Sequence, residues 1–261
     1  MKVVIKIGGA ALDDASTRRK CAHAVAELAK DGHCVAVVHG GGSALTRTLK
    51  QFGRESEFVN GLRVTDATTR DVALMVLSGI VNKKLVAAIE AEGLPALGIC
   101  GGDGMMFRAR KKQNLGRDLG FVGEICAAEA RWLDLIWRQG GIPVISSIAL
   151  GVDGEYYNVN ADQMAATCAV VCQADALIFL TDVAGVKNAD GVVLRWLSTK
   201  EAANLVADSV ISGGMLPKLE ACTQALRRGV ARVRILPAEQ AELLPQFYFS
   251  KLECGTEVTH A

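Results

Sequence analysis

The chain opens Met1-Lys2-Val3-Val4-Ile5-Lys6-Ile7-Gly8-Gly9 and later runs Cys34-Val35-Ala36-Val37-Val38-His39-Gly40-Gly41-Gly42. Each stretch is a continuous apolar run that ends in glycine. Apolar runs without polar alternation are the pattern of strands covered on both faces, as in a parallel sheet. Glycine lacks a Cβ, so backbone amides there can approach a ligand closely. Lys6 stands inside the first run, directly before Gly8-Gly9. A lysine and two glycine turns at strand carboxyl ends predict a site for phosphate or another anion.

Working outward, strand-like and helix-like segments alternate. Ser16–Lys30 is expected to be a helix capped by Ser16 and ended near Gly32. A helix from about Ser43 follows the triple glycine, and Asn60-Gly61 between apolar residues predicts a hairpin. Asp66 is expected to cap a long helix over 67–92. Strands are expected at Ala96–Cys100, Ile142–Ser146, Ala176–Leu180 and Arg232–Leu236, with helices near Ala165–Cys172, Thr199–Val206 and Met215–Gly229. The pattern predicts an α/β fold: a mostly parallel central sheet sandwiched by helices in three αβα layers. It is expected to be a single domain over 1–261, with an N-lobe of about 1–155 and a C-lobe of about 156–261.

The 261 residues carry 29 basic and 28 acidic side chains, a balance that gives no reason to expect nucleic acid or a membrane surface as partner. Charged residues interrupt the apolar runs, so none is expected to reach membrane-spanning length. The eight cysteines are scattered without a CxxC pair. Buried reduced thiols, and hence a cytoplasmic setting, are the expectation. Walker-type GxxxxGK[ST], complete GxGxxG, HExxH and GxSxG motifs are all absent. No metal-ligand cluster is expected.

Several further residues stand out. Arg63 follows the Asn60-Gly61 turn; it is either a solvated hairpin arginine or a clamp for a carboxylate. Asn158, Asn160 and Asp162 alternate, which would place them on one side of an extended segment; a loop-stabilising Asx cluster is the alternative. Lys218 follows Gly213-Gly214-Met215-Leu216-Pro217. A positive charge so near a helix start opposes the helix dipole, which suggests an anionic ligand there.

Taken in order, Lys6-Ile7-Gly8-Gly9, His39-Gly40-Gly41-Gly42, Asn60-Gly61-Leu62-Arg63-Val64-Thr65, Asn158-Val159-Asn160-Ala161-Asp162, Thr181-Asp182-Val183-Ala184-Gly185-Val186 and Gly213-Gly214-Met215-Leu216-Pro217-Lys218 resemble the amino-acid kinase family. The likeness runs from Lys2 to about Thr256. The Asn60–Thr65 and Asn158–Asp162 segments narrow it to the branch that acts on N-acetylglutamate. The resemblance implies ATP-dependent phosphorylation of the side-chain carboxylate of N-acetyl-L-glutamate, with Mg²⁺ carried by the nucleotide. It implies catalytic roles for Lys6, Lys218 and Asp162, and acceptor binding by Gly41, Gly42, Arg63 and Asn158. It places the nucleotide against Gly8, Gly9, Asp182, Val183, Gly185, Val186, Lys187, Val210, Ile211 and Ser212. Two alternatives remain open: a kinase for an aminoadipate derivative, and a non-catalytic nucleotide- or amino-acid-binding regulatory subunit. Arginine-inhibited members carry an extra N-terminal helix. With five residues before Lys6, the sequence is expected to lack it and to form an unregulated homodimer.

Overall fold

A computed structural model describes residues 1–113, 116–247 and 254–260 of the chain. Eight strands form one sheet, in the order Trp196–Ser198, Thr256–Thr259, Arg232–Pro237, Ala176–Thr181, Lys2–Ile7, Cys34–His39, Ile142–Ser146, Ala96–Cys100. The last six are parallel; the first two run the other way, joined by an antiparallel pairing of Arg232–Pro237 with Thr256–Thr259. The sheet runs unbroken through both expected lobes, so they share one scaffold. A small closed sheet of Phe107–Lys111, Val122–Ala128, Ile148–Gly151 and Tyr156–Val159 and a separate hairpin, Phe58–Val59 with Leu62–Arg63, stand beside it.

Strand alternation sorts the core into two layers. Val3, Ile5 and Ile7 face helices Ala15–Lys30, Gly42–Gln51 and the long Ala67–Glu90 helix. Val4 faces the other way, toward Ala161–Val171 and Met215–Arg227. Lys6 shares the face of Val4. That parity aims its side chain at the two helices that carry Asp162 and Lys218.

Several local expectations are corrected. Asp14, not Ser16, caps the second helix, accepting the Thr17 N–H at 2.6 Å. Gly8-Gly9 is not a bare turn: Gly9 opens a short helix, Gly9–Asp13. The helix expected from Ala165 begins at Ala161, because Asn160 accepts N–H groups from Asp162 and Gln163 at 2.9 and 3.1 Å and turns the chain there. Asn158, Asn160 and Asp162 therefore do not line one extended segment. The Ala67–Glu90 helix, 24 residues, is long and apolar enough by length and composition to cross a membrane, contrary to the expectation of no such run. Its inner face, including Val72, Val76, Leu85 and Ile89, is part of the core. Its central turns, Leu74–Val81, are π-helical.

Candidate active site

Lys6 lies near the carboxyl end of its strand, paired in register with Phe179 and Val38. Asp162 lies in the first turn of Ala161–Val171, where the helix dipole favours a carboxylate. Lys218 reaches in from the first turns of Met215–Arg227. All three are buried, at 7%, 7% and 5% exposure. Lys6 Nζ is 2.8 Å from Asp162 Oδ1, and Lys218 Nζ is 3.1 and 3.2 Å from Oδ1 and Oδ2. Lys218 Nζ also stands 5.1 Å above the centre of the Phe179 ring, which adds cation–π attraction.

Burial alone would raise the Asp162 pKa, but the ammonium of Lys6, then that of Lys218, and the hydrogen bonds from both outweigh it and hold the carboxyl below its ordinary range. Burial, with the Lys6 charge added, pushes the Lys218 pKa down, while Asp162 opposes the shift. Two ammonium groups share one carboxylate. One positive charge is left uncompensated in a nearly dry place, and there it attracts anions strongly.

The glycine turns meet beside this cluster. A Cβ on Gly9 would stand 3.0 Å from Gly42 N and 3.1 Å from Gly41 Cα, so the two backbones touch as only glycine allows. Gly9 and Gly42 each open a helix, and the first amides of a helix have no acceptor within it. Gly8 differs: its N–H donates to the Leu180 carbonyl at 2.9 Å and belongs to the scaffold.

Next to the turns lies a pocket of about 160 Å³, lined among others by Gly40, Gly42, Phe58, Arg63, Asn158 and Ala161. The hairpin that builds one wall turns at Asn60 (φ 50°) and Gly61 (φ 77°), the two left-handed residues of a type I′ turn. Arg63 is 7% exposed, with its guanidinium 4.6 Å from the centre of the Phe58 ring opposite it. Its Nη2 donates to the Gly42 carbonyl at 2.9 Å and to Thr46 Oγ1 at 2.8 Å, and Nη1 to Ser56 Oγ. Burial lowers its pKa. No acidic side chain pairs with Arg63 among the described residues. Asn158 Nδ2 stands 3.4 Å from Thr65 Oγ1.

A broader pocket of about 830 Å³ opens beyond the carboxyl ends of strands Ala176–Thr181 and Arg232–Pro237. Thr181, Asp182, Val183, Ala184, Arg195 and Glu239 are among its walls. Of the residues assigned to the nucleotide from the sequence, Asp182 and Val183 line it. Gly185, Val186 and Lys187 instead shape the loop. Gly185 has φ +148° and would clash with Val193 if it carried a Cβ. The Val186 N–H donates to Thr256 Oγ1 at 2.9 Å, and Lys187 pairs with Val193. Ile211 is buried in the core, Ser212 is exposed, and neither they nor Val210 line this pocket. Arg195 and Glu239 carried no motif that would mark them.

The amino acid kinase family model matches residues 1–237. This chain belongs to the amino acid kinase family. It is 63% identical to a protein named acetylglutamate kinase from Acidobacterium capsulatum, over 99% of both chains. It is 56% identical to another of that name from Koribacter versatilis, over 99% of this chain and 98% of the other. Among solved structures it resembles an N-acetylglutamate synthase from Neisseria gonorrhoeae complexed with coenzyme A and N-acetyl-glutamate, with a TM-score of 0.88 and 27% identity. All of this chain is covered in that match, but it spans only 59% of the synthase chain.

Proposed function

We infer that the chain is an acetylglutamate kinase, transferring the terminal phosphoryl group of ATP to the side-chain carboxylate of N-acetyl-L-glutamate in arginine biosynthesis. The observation that carries this reading is the buried Lys6–Asp162–Lys218 cluster beside a small cationic pocket, supported by full-length likeness to proteins of that name.

The acceptor carboxylate is already ionised at neutral pH and needs no general base. Catalysis then reduces to positioning and charge neutralisation. Arg63, buried without an acidic partner among the described residues, fits the α-carboxylate of the acceptor. Asn158 and the glycine-turn amides fit its remaining polar groups. The reacting oxygen forms a bond to phosphorus as the bond to the ADP oxygen breaks. Lys6 and Lys218 spread their charge over the moving group, and Asp162 fixes where both ammonium groups point. The broad pocket beside Asp182 and Val183 suits the nucleotide. Mg²⁺ carried on the nucleotide phosphates would supply further charge neutralisation. The exposed apolar side chains Met75 and Ile80 on the long helix, with Leu97 on the edge strand, support a homodimer. Five buried cysteines support a reducing, cytoplasmic setting.

A coupled assay of ADP release with ATP, Mg²⁺ and N-acetylglutamate tests the reading. Turnover on that acceptor is expected. Preference for an aminoadipate-type acceptor, or ATP binding without turnover on any acceptor, would replace it.

A further inference from the structure

The long helix changes pitch where it crosses behind the triple glycine. Over Leu74–Val81 it is π-helical, a form that shifts side-chain register and is often found near functional sites. In this register a Cβ on Gly41 would lie 2.7 Å from Leu77 Cδ2 and 3.2 Å from Val81 Cγ2, so the helix rests directly on the glycine backbone. Ser78 Oγ meets Ser146 Oγ at 2.7 Å at the carboxyl end of the neighbouring strand. The first residue past the π segment, Asn82, is completely buried.

Asn82 faces His39, which is also completely buried. Asn82 Nδ2 is 3.0 Å from His39 Nε2 and 2.9 Å from the Val144 carbonyl. The carbonyl contact identifies that amide atom as the donor nitrogen, so Nε2 must accept. The ring proton then sits on Nδ1, which lies 2.8 Å from the Gly40 carbonyl. A charged ring is disfavoured: burial, helped by the nearby Lys6 charge, pushes the His39 pKa down to about 4.

We propose that His39 is a positioning residue for the phosphoryl acceptor: its Nδ1–H holds the Gly40 carbonyl and so sets the Gly41 and Gly42 amides, while Asn82 fixes the tautomer. The π segment supplies the backing surface and brings Asn82 into register. The kinetic part of this proposal rests on the acetylglutamate kinase reading; the tautomer and the order of the glycine turn do not.

Three measurements test it. Long-range proton–nitrogen NMR correlation on the histidine-labelled wild-type chain should show His39 neutral with its proton on Nδ1. A ring protonated on Nε2 overturns the proposal whether or not any variant folds. Two variants then separate the two ring nitrogens. In H39N the amide nitrogen takes the place of Nδ1; in H39Q it reaches toward that of Nε2. H39N should keep the KM for N-acetylglutamate within about threefold, whereas H39Q should raise it about tenfold, the size of one lost buried hydrogen bond. The KM for ATP should stay level in both. Hydrogen exchange at the Gly41 and Gly42 amides of the ligand-free chain should quicken in H39Q more than in H39N. Equal losses in the two variants, equal losses for ATP and acceptor, or unchanged exchange in H39Q would overturn the proposal. If the wild-type chain fails to turn over N-acetylglutamate, the functional reading fails, and the NMR and exchange results still judge the positioning role.

Discussion

The two pockets at the carboxyl edge of the sheet are built on different terms. The one beside Arg63 holds about 160 Å³ and is walled by a buried guanidinium, a type I′ hairpin and packed glycine backbone. The one beside Asp182 holds about 830 Å³ and presents exposed loop residues. In the first, Arg63 cannot move without breaking its hydrogen bonds to Gly42, Thr46 and Ser56. The second is specified largely by backbone course, held from behind by Gly185, Val186 and Thr256. Substitutions should therefore act sharply on the proposed acceptor side and mildly on the proposed nucleotide side.

The largest effect should come from the group that joins the two halves. Asp162→Ala leaves two buried ammonium groups facing each other, and should cost about 3–5 kcal/mol of stability in urea unfolding. A cost below about 1 kcal/mol would mean that the lysines are not held by this carboxylate. On the acceptor side, Arg63→Lys keeps the charge but loses the planar fork. The KM for N-acetylglutamate should rise about 10- to 100-fold with the KM for ATP unchanged. Next comes the support behind the glycines. The His39 pKa is depressed to about 4 in the folded chain, so the unfolded chain binds more protons as pH falls below about 6.5. Stability from this group is complete above that value and fades toward pH 4. Between pH 7 and pH 5 the wild type should lose about 2 kcal/mol more than H39N. The smallest effect belongs to the broad pocket: Asp182→Ala should change stability by less than about 0.5 kcal/mol and the KM for ATP only severalfold. A larger effect on ATP than Arg63→Lys has on the acceptor would reverse the contrast.

How far the sequence discloses this follows the same division. The apolar strands fixed the sheet because their runs are continuous and end in glycine, and Asn60-Gly61 has one favoured turn. Lys6 and Lys218 were conspicuous as charges in the wrong company. Their meeting with Asp162 depends on strand parity and on Asn160 starting a helix, which reads equally well as an extended Asx run. Beyond this, contiguity does not give side-chain orientation: Val186 and Ile211 belong to or adjoin informative segments, and their side chains pack in the core. The π segment was hidden because Val72–Val81 is so apolar that it carries no helical phase. The pairing of His39 with Asn82 has no motif at all; only the packed structure brings the two together.

The role proposed for Lys6 is to act on the moving phosphoryl group; for the fold it should be dispensable, since Asp162 would still hold Lys218. Single-turnover phosphoryl transfer by Lys6→Ala, with ATP, Mg²⁺ and N-acetylglutamate all saturating, tests it most directly. The rate constant should fall at least about 10²- to 10³-fold while thermal unfolding and ATP affinity change little. Turnover within a few-fold of the wild type would contradict it.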